Sequence, residues 1–273
     1  MSWRHAAMWL AVLAAALPAH TLSAQARTMT NAIGMEFVLI SPGSMLVGRF
    51  KPRCPQPVPA FWTTDDLARC EEMVTRDAMP GFTARIARAY YIGRFEVTQR
   101  EWTRVMRTNP SVFHGPRVKD DASRHPVDNV PWADAQAFIR ALNALDTTAR
   151  YRLPTEFEWE YAARAGDVAE PSWDGIRASA WQGDLDLGTT HAVGGKTPNA
   201  WGLHDMLGNV WEWVADVYNE KLFADPTPPL VGRTHVLKGG SFVSDVKNAT
   251  WTTHAGGPGS GFDVGFRIVR DVR

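Results

Sequence analysis

Apolar positions first become regular a little after residue 35. Phe37 to Ile40 and Met45 to Val47 are short apolar runs separated by Ser41-Pro42-Gly43, which reads as two strands with a turn between them. Tyr90 to Val97 is a further strand. Thr98-x-x-Glu101 follows it, a capping box whose hydroxyl and carboxylate satisfy the first free amides of a helix. Trp102, Val105 and Met106 then recur at helical spacing. From Pro131, the residues Trp132, Ala135, Phe138, Ile139 and Leu142 fall on one side of a second helix, and Thr155-x-x-Glu158 opens a third. Beyond Gly166 the helical period fades. What remains is loop, Gly and Trp, with short strands expected at Thr234 to Lys238 and Val264 to Val269. No repeat argues for a solenoid or propeller. The pattern predicts an α+β protein with low regular secondary structure and much ordered loop.

Composition adds three points. At 273 residues the chain can bury a substantial core in one large domain or two small ones. Its 12 tryptophans suggest that indole rings, rather than long aliphatic helices, fill that core. Formal net charge is zero, so the total carries no attraction to nucleic acid or to an anionic membrane.

The N-terminal segment reads as a signal peptide over residues 1–26. Arg4 and His5 precede the short apolar run AAMWLAVLAAAL, and Ala24-Gln25-Ala26 supplies the small-x-small pattern for cleavage near Ala26. An uncleaved anchor is the alternative. A periplasmic or secreted location is expected, with no membrane span in the mature chain. Export bears on Cys54 and Cys70, the only cysteines. In an oxidising compartment they are expected to pair, closing a Pro- and charge-rich insertion around residues 51–80. A metal-binding thiolate pair is the other reading, though no His or Cys flanks them at ligand spacing.

Long ordered loops need something to hold them. In GLHDMLGNVWEW, Gly202 to Trp213, Asp205 and Glu212 offer carboxylate oxygens, and Gly208 and Val210 lie between them with backbone carbonyls. Hard oxygen donors of this kind suit calcium, although two loop acids can equally be solvated.

NAIGMEFVLISPGSMLVG, YYIGRFEVTQREW, HPVDNVPWADAQAF, YRLPTEFEWEYAARAG, WGLHDMLGNVWEW, KGGSF and VGFRIVR occur in one order over residues 31 to 271. In that order they resemble the formylglycine-generating enzyme, or sulfatase-modifying factor, family. The resemblance implies a single domain (27–273) with a variant of the C-type lectin fold. It also implies one structural Ca2+ ion on Asp205, Gly208, Val210 and Glu212. A second calcium loop is expected to be impaired, because Ser179 stands where the family usually has Asn.

Members that oxidise a sulfatase cysteine hold copper(I) on two thiolates after the KGGSF strand. Here the matching positions are Ser244 and Ala249, neither of them a soft ligand. Thr253 and Gly257 stand where arginines are common. The resemblance therefore implies no copper and no formylglycine formation, while Ser241 and Trp211 persist at the pocket. Ser241 and His254 are the candidate catalytic residues, with Asp245 and Lys247 as possible assistants. The imidazole of His254 is a group of the type that moves protons near neutral pH. Ordinary loop hydrogen bonding is the alternative for His254, Asp245 and Lys247. Trp211 and Trp213 offer faces for a flat ligand, or core packing.

Exported members without copper cysteines include proteins that mature the chromophore of the siderophore pyoverdine. An exported protein assisting oxidation of such a peptide-derived substrate is thus one expected function. A non-catalytic, lectin-like accessory module with a periplasmic protein partner is the other.

Overall fold

The computed structural model describes residues 28–48, 54, 57–76, 81–168, 172–183, 188–223, 226–227, 229, 231–244, 250–257, 259 and 261–272. The signal segment, Asp245, Lys247 and Ala249 lie outside them.

Five strands form the first sheet: β1 (Thr28–Thr30), β2 (Glu36–Ile40), β5 (Tyr90–Gly93), β11 (Val269–Asp271) and β6 (Tyr151–Arg152), in the order β1-β2-β5-β11-β6. The first and last described segments thus share one sheet, with Val38 and Val269 on either side of Ile92. A second sheet runs β10-β7-β8-β9, from Val264–Gly265, Trp211–Val217, His235–Lys238 and Ala255–Gly257. β3 (Gly43–Val47) pairs with β4 (Phe82–Ile86) in a separate ribbon, not with the adjacent β2.

The expected helices are present. α2 (Gln99–Met106) and α4 (Glu156–Arg164) both open with the reciprocal bonds of a capping box. Both stop at a residue in the left-handed region, Arg107 (φ 62°) and Ala165 (φ 51°). In α3 (Trp132–Leu145) the side chains of Ala135, Phe138, Ile139 and Leu142 are all buried. Trp102 stacks on Phe138 at 5.4 Å and meets Phe266 edge-on at 6.1 Å, so α2 and α3 share one core with the segment between β10 and β11. A second core surrounds Trp159 of α4 and Val214 and Val236 of the second sheet.

Several regions differ from expectation, the strand expected over Tyr90 to Val97 ending already at Gly93. α1 (Thr64–Arg76) is a helix within the insertion, opened by reciprocal Thr63–Asp66 bonds. Cys70 on it is disulfide-bonded to Cys54, which removes the metal-thiolate alternative. α5 (Trp173–Ser179) is a short helix in a region read as loop, capped by Ser172. β7 was hidden because Glu212, Trp213 and Val214 are buried in succession, and a strand covered on both faces shows no alternation. The run from Val264 to Val269 is split: β10 joins β7, β11 joins the first sheet, and Phe266, Arg267 and Ile268 are buried between them.

Candidate functional site

Arg267 sits in this buried crossing, where an unpaired guanidinium would be prohibitively costly. Its Nε and Nη2 donate to the two oxygens of Glu212 on β7, both at 2.6 Å. Trp159 Nε1 gives Glu212 a further bond at 2.7 Å. Arg267 also donates to the backbone carbonyls of Gly93, His204 and Asp205, at 3.1 to 3.2 Å. Two more buried acids stand nearby. Glu96 accepts from Asn209 Nδ2 at 2.7 Å and from the Val210 amide at 3.2 Å. Asp205 Oδ2 accepts from the Gly194 amide at 2.7 Å, while its Oδ1 is buried with no hydrogen-bond partner. Burial, and then the charges of Asp205 and Glu212, hold Glu96 well above the usual carboxylate range. Burial pushes Asp205 up to about 6. Three acids face one guanidinium, leaving the cluster with excess carboxylate.

This donor chemistry fits a hard cation, with the roles of its members changed. Asp205 Oδ1 is the oxygen open to a ligand. Its residue lines a cavity of about 260 Å3 together with Ser179, Asn199 and Leu207. Glu212 is largely taken by Arg267 and Trp159. Among the described residues no group of three or more His, Cys, Asp or Glu side chains converges as a metal cluster, so a cation here would depend on backbone carbonyls as well as on Asp205. Gly208 is required on steric grounds: a Cβ there would lie 2.0 Å from the Trp181 carbonyl oxygen. Its amide donates to Gly239 O at 2.9 Å and ties this loop to the strand end that carries the second region.

That second region begins at Gly239, just after β8. Ser241 is fully buried, and its hydroxyl donates to Asp263 Oδ2 at 2.7 Å. Ser244 Oγ accepts from the Ser241 amide at 2.9 Å and lies 3.2 Å from the Ser241 hydroxyl. Ser244 thus places a hard hydroxyl beside Ser241 at one of the two thiolate positions. Both cysteines of the chain are in the disulfide, so it holds no thiol for a soft metal. Asp128 is near enough for the charge of Asp263 to act on it, as the weakest of the influences on its carboxyl. It accepts from the amides of Val112 (2.6 Å) and Phe113 (3.3 Å), and burial pushes it up to about 6.

His254 has other partners. Its Nδ1 is 2.6 Å from Glu156 Oε1 on α4, and its Nε2 is 2.9 Å from the Asn219 carbonyl. The ring stacks on Tyr218 at 4.6 Å. Glu156 also pairs with Lys238 Nζ at 3.6 Å, Lys238 with Glu160 at 3.3 Å, and Glu160 with Arg164. Although burial opposes it, His254 and Lys238 hold Glu156 below its ordinary range. Of the two candidate catalytic residues, His254 thus has Nδ1 paired with Glu156 and Nε2 on a backbone carbonyl, while the Ser241 hydroxyl bonds to Asp263. Trp213 is core, donating to Val130 O at 2.7 Å, and Trp211 is half-buried.

Sequence reasoning gave no role to Glu96, Asp263 or Arg267. A signal existed for two of them: Glu96 lies between Phe95 and Val97, and Arg267 between Phe266 and Ile268. A lone charge inside an apolar strand pattern implies a buried partner.

A lectin-like α+β domain with an Arg-centred acidic loop beside a Gly-Gly-Ser strand end defines a class. The family model for the sulfatase-modifying factor enzyme 1-like domain (FGE-sulfatase) matches residues 22–272, and the chain belongs to that family. The formylglycine-generating enzyme of Thermomonospora curvata is 39% identical over 147 residues, covering 45% of this chain and 46% of that protein. The matched stretches span about half the length of this and another curated bacterial relative. The structure of PvdO from Pseudomonas aeruginosa superposes with a TM-score of 0.70 at 21% identity, over 90% of this chain and 98% of that one. Treponema denticola variable protein 1 gives 0.69 at 24% identity with the same coverage. Both establish the shared fold.

Proposed function

We propose that this chain is a copper-independent member of its family that works outside the cytoplasm and assists the oxidative maturation of a peptide-derived substrate. The chromophore of a pyoverdine-type siderophore is the substrate class it suits best. The observation that carries this reading is the Ser241–Asp263 pair, with Ser244 in place of a thiolate beside it. Asp263 orients the hydroxyl and can accept a proton or an N–H from a ligand, while Ser241 and Ser244 supply further polar contacts. The Cys54–Cys70 bond fits an oxidising compartment. Among the described residues no helix is long and apolar enough to cross a membrane.

Calcium belongs to the same proposal as a structural ion. Asp205 would hold it with the carbonyls of Gly208 and Val210, offsetting the excess carboxylate charge, while Glu212, engaged by Arg267 and Trp159, would contribute chiefly through its charge. Chelation should then lower the melting temperature of the wild type and have little effect on Asp205→Asn. Equal shifts in both proteins would remove Asp205 from the site.

The functional test is a metabolite comparison of a deletion strain with the wild type. Accumulation of an immature, less oxidised peptide product supports the reading, and an unchanged metabolite profile overturns it. The engagement of His254 elsewhere favours a second reading, an accessory binding module with a periplasmic protein partner. Complementation separates the two. Ser241→Ala and Asp263→Asn should lose maturation if this pocket acts on the substrate, and retain full function if the module only binds a protein elsewhere.

A further inference from the structure

Three phenylalanines meet beside the Ser241–Asp263 pair. Phe113 and Phe242 are edge-on at 5.1 Å, and Phe262 lies 6.2 Å from each of them. They are graded from inside to outside. Phe242 is buried, Phe113 is half-buried, and Phe262 keeps 49% of its surface exposed. Val243, next along from Phe242, is 46% exposed. Each ring is also joined to a polar group. Phe242 follows Ser241, Phe262 precedes Asp263, and the Phe113 amide bonds to Asp128. An exposed Phe taken alone needs no explanation. Aromatic faces interleaved with two neighbouring carboxylates form a more specific pattern. Asp128 and Asp263 bond to amides and a hydroxyl, and neither has an ion pair with a basic side chain among the described residues. Negative ring faces beside carboxylates that lack a counter-ion are the chemistry that recognises cations.

We propose that Phe113, Phe262 and Asp263 form a recognition face for a flat, positively charged group of the amidinium or protonated-heteroaromatic class. The group lies on Phe262, the most exposed of the three rings, with Phe113 at its side, and donates an N–H to Asp263. Flatness follows from the rings, which offer faces and edges. Positive charge follows from the local excess of carboxylate. The inference rests on reading the region from Gly239 to Gly261, with its neighbours, as the functional pocket, and it names the substrate class for that pocket.

The test uses the purified full chain with benzamidine as the planar cation and benzamide as its neutral isostere, titrated by calorimetry and by ligand-observed NMR. Benzamidinium should bind about tenfold more tightly than benzamide. Phe262→Ala should weaken benzamidinium about fivefold without changing the melting temperature, because the ring is half exposed. Asp263→Asn, which keeps an acceptor for Ser241, should bring the two probes to equal affinity. Equal affinity in the wild type, no saturable binding of benzamidinium, or a Phe262→Ala variant that binds as the wild type does would each overturn the proposal. Its failure is distinguishable from that of the functional reading. A deletion strain with an unchanged metabolite profile, beside intact benzamidinium discrimination, refutes the maturation role and leaves the recognition face standing.

Discussion

The Arg267 cluster and the Ser241 region are tied together by the Gly208–Gly239 hydrogen bond, yet they are built on opposite principles. Around Arg267 the charges are buried and mutually bonded: the guanidinium donates to Glu212 and to three backbone carbonyls, and Glu212 takes three donors. Around Ser241 the polar groups are fewer, Asp263 is partly open, and an aromatic ring stands half exposed beside them. The first arrangement stabilises a loop-rich fold. The second leaves unspent interactions for a ligand. This contrast implies that mutations at the first should be read in stability and mutations at the second in binding.

The harshest test is Arg267→Met. It leaves Glu212, together with Glu96 and Asp205, without its buried counter-ion, and should cost about 3–5 kcal/mol. Urea unfolding would measure it, and a loss below about 1 kcal/mol would break the contrast, since the cluster would then behave like a surface ion pair.

Replacing both cysteines, Cys54→Ala with Cys70→Ala, gives a reference that touches neither region's hydrogen bonds. The closed loop of 16 residues predicts a loss of about 3 kcal/mol from chain entropy. Urea unfolding should show that loss with benzamidinium binding intact. Lost binding in a folded double variant would mean that the insertion supports the pocket.

A pH titration sharpens the second region. Burial raises Asp128 from its usual value to about 6 in the folded chain. A carboxylate with a raised folded pKa stabilises most below its unfolded value, and that contribution is lost as pH rises through the folded value. Stability should therefore fall between about pH 4 and pH 6, by up to about 3 kcal/mol from this group. Asp128→Asn should be less stable overall, yet flatter across that window. An unchanged slope would show that Asp128 does not titrate there.

Ser241→Ala is the mildest. It deletes the hydroxyl's bond to a partly exposed carboxylate and its 3.2 Å contact with Ser244, so about 1–2 kcal/mol is expected, with cooperative unfolding retained. A loss comparable to that of Arg267→Met would mean that the Ser241 region is structural too.

Much of this was legible in the chain itself. The capping boxes at Thr98 and Thr155, the buried face of α3 and the Cys54–Cys70 pair are local or combinatorial signals that need no knowledge of distant neighbours. The ordered motifs from Asn31 to Arg270 carried the family, and the absence of a second pair of cysteines was a matter of composition. What stayed hidden were relations between segments far apart in sequence. β7 has no visible alternation because both of its faces are covered. Arg267 acquires its meaning only where Glu212 and Trp159 meet it. His254 lies 13 residues after Ser241, close enough in sequence to suggest one pocket. Tertiary packing turns its ring to Glu156 and Asn219 and gives the Ser241 hydroxyl to Asp263. Sequence spacing fixes which chemical groups are available. Which of them meet is decided by the folded arrangement that satisfies buried charge at least cost.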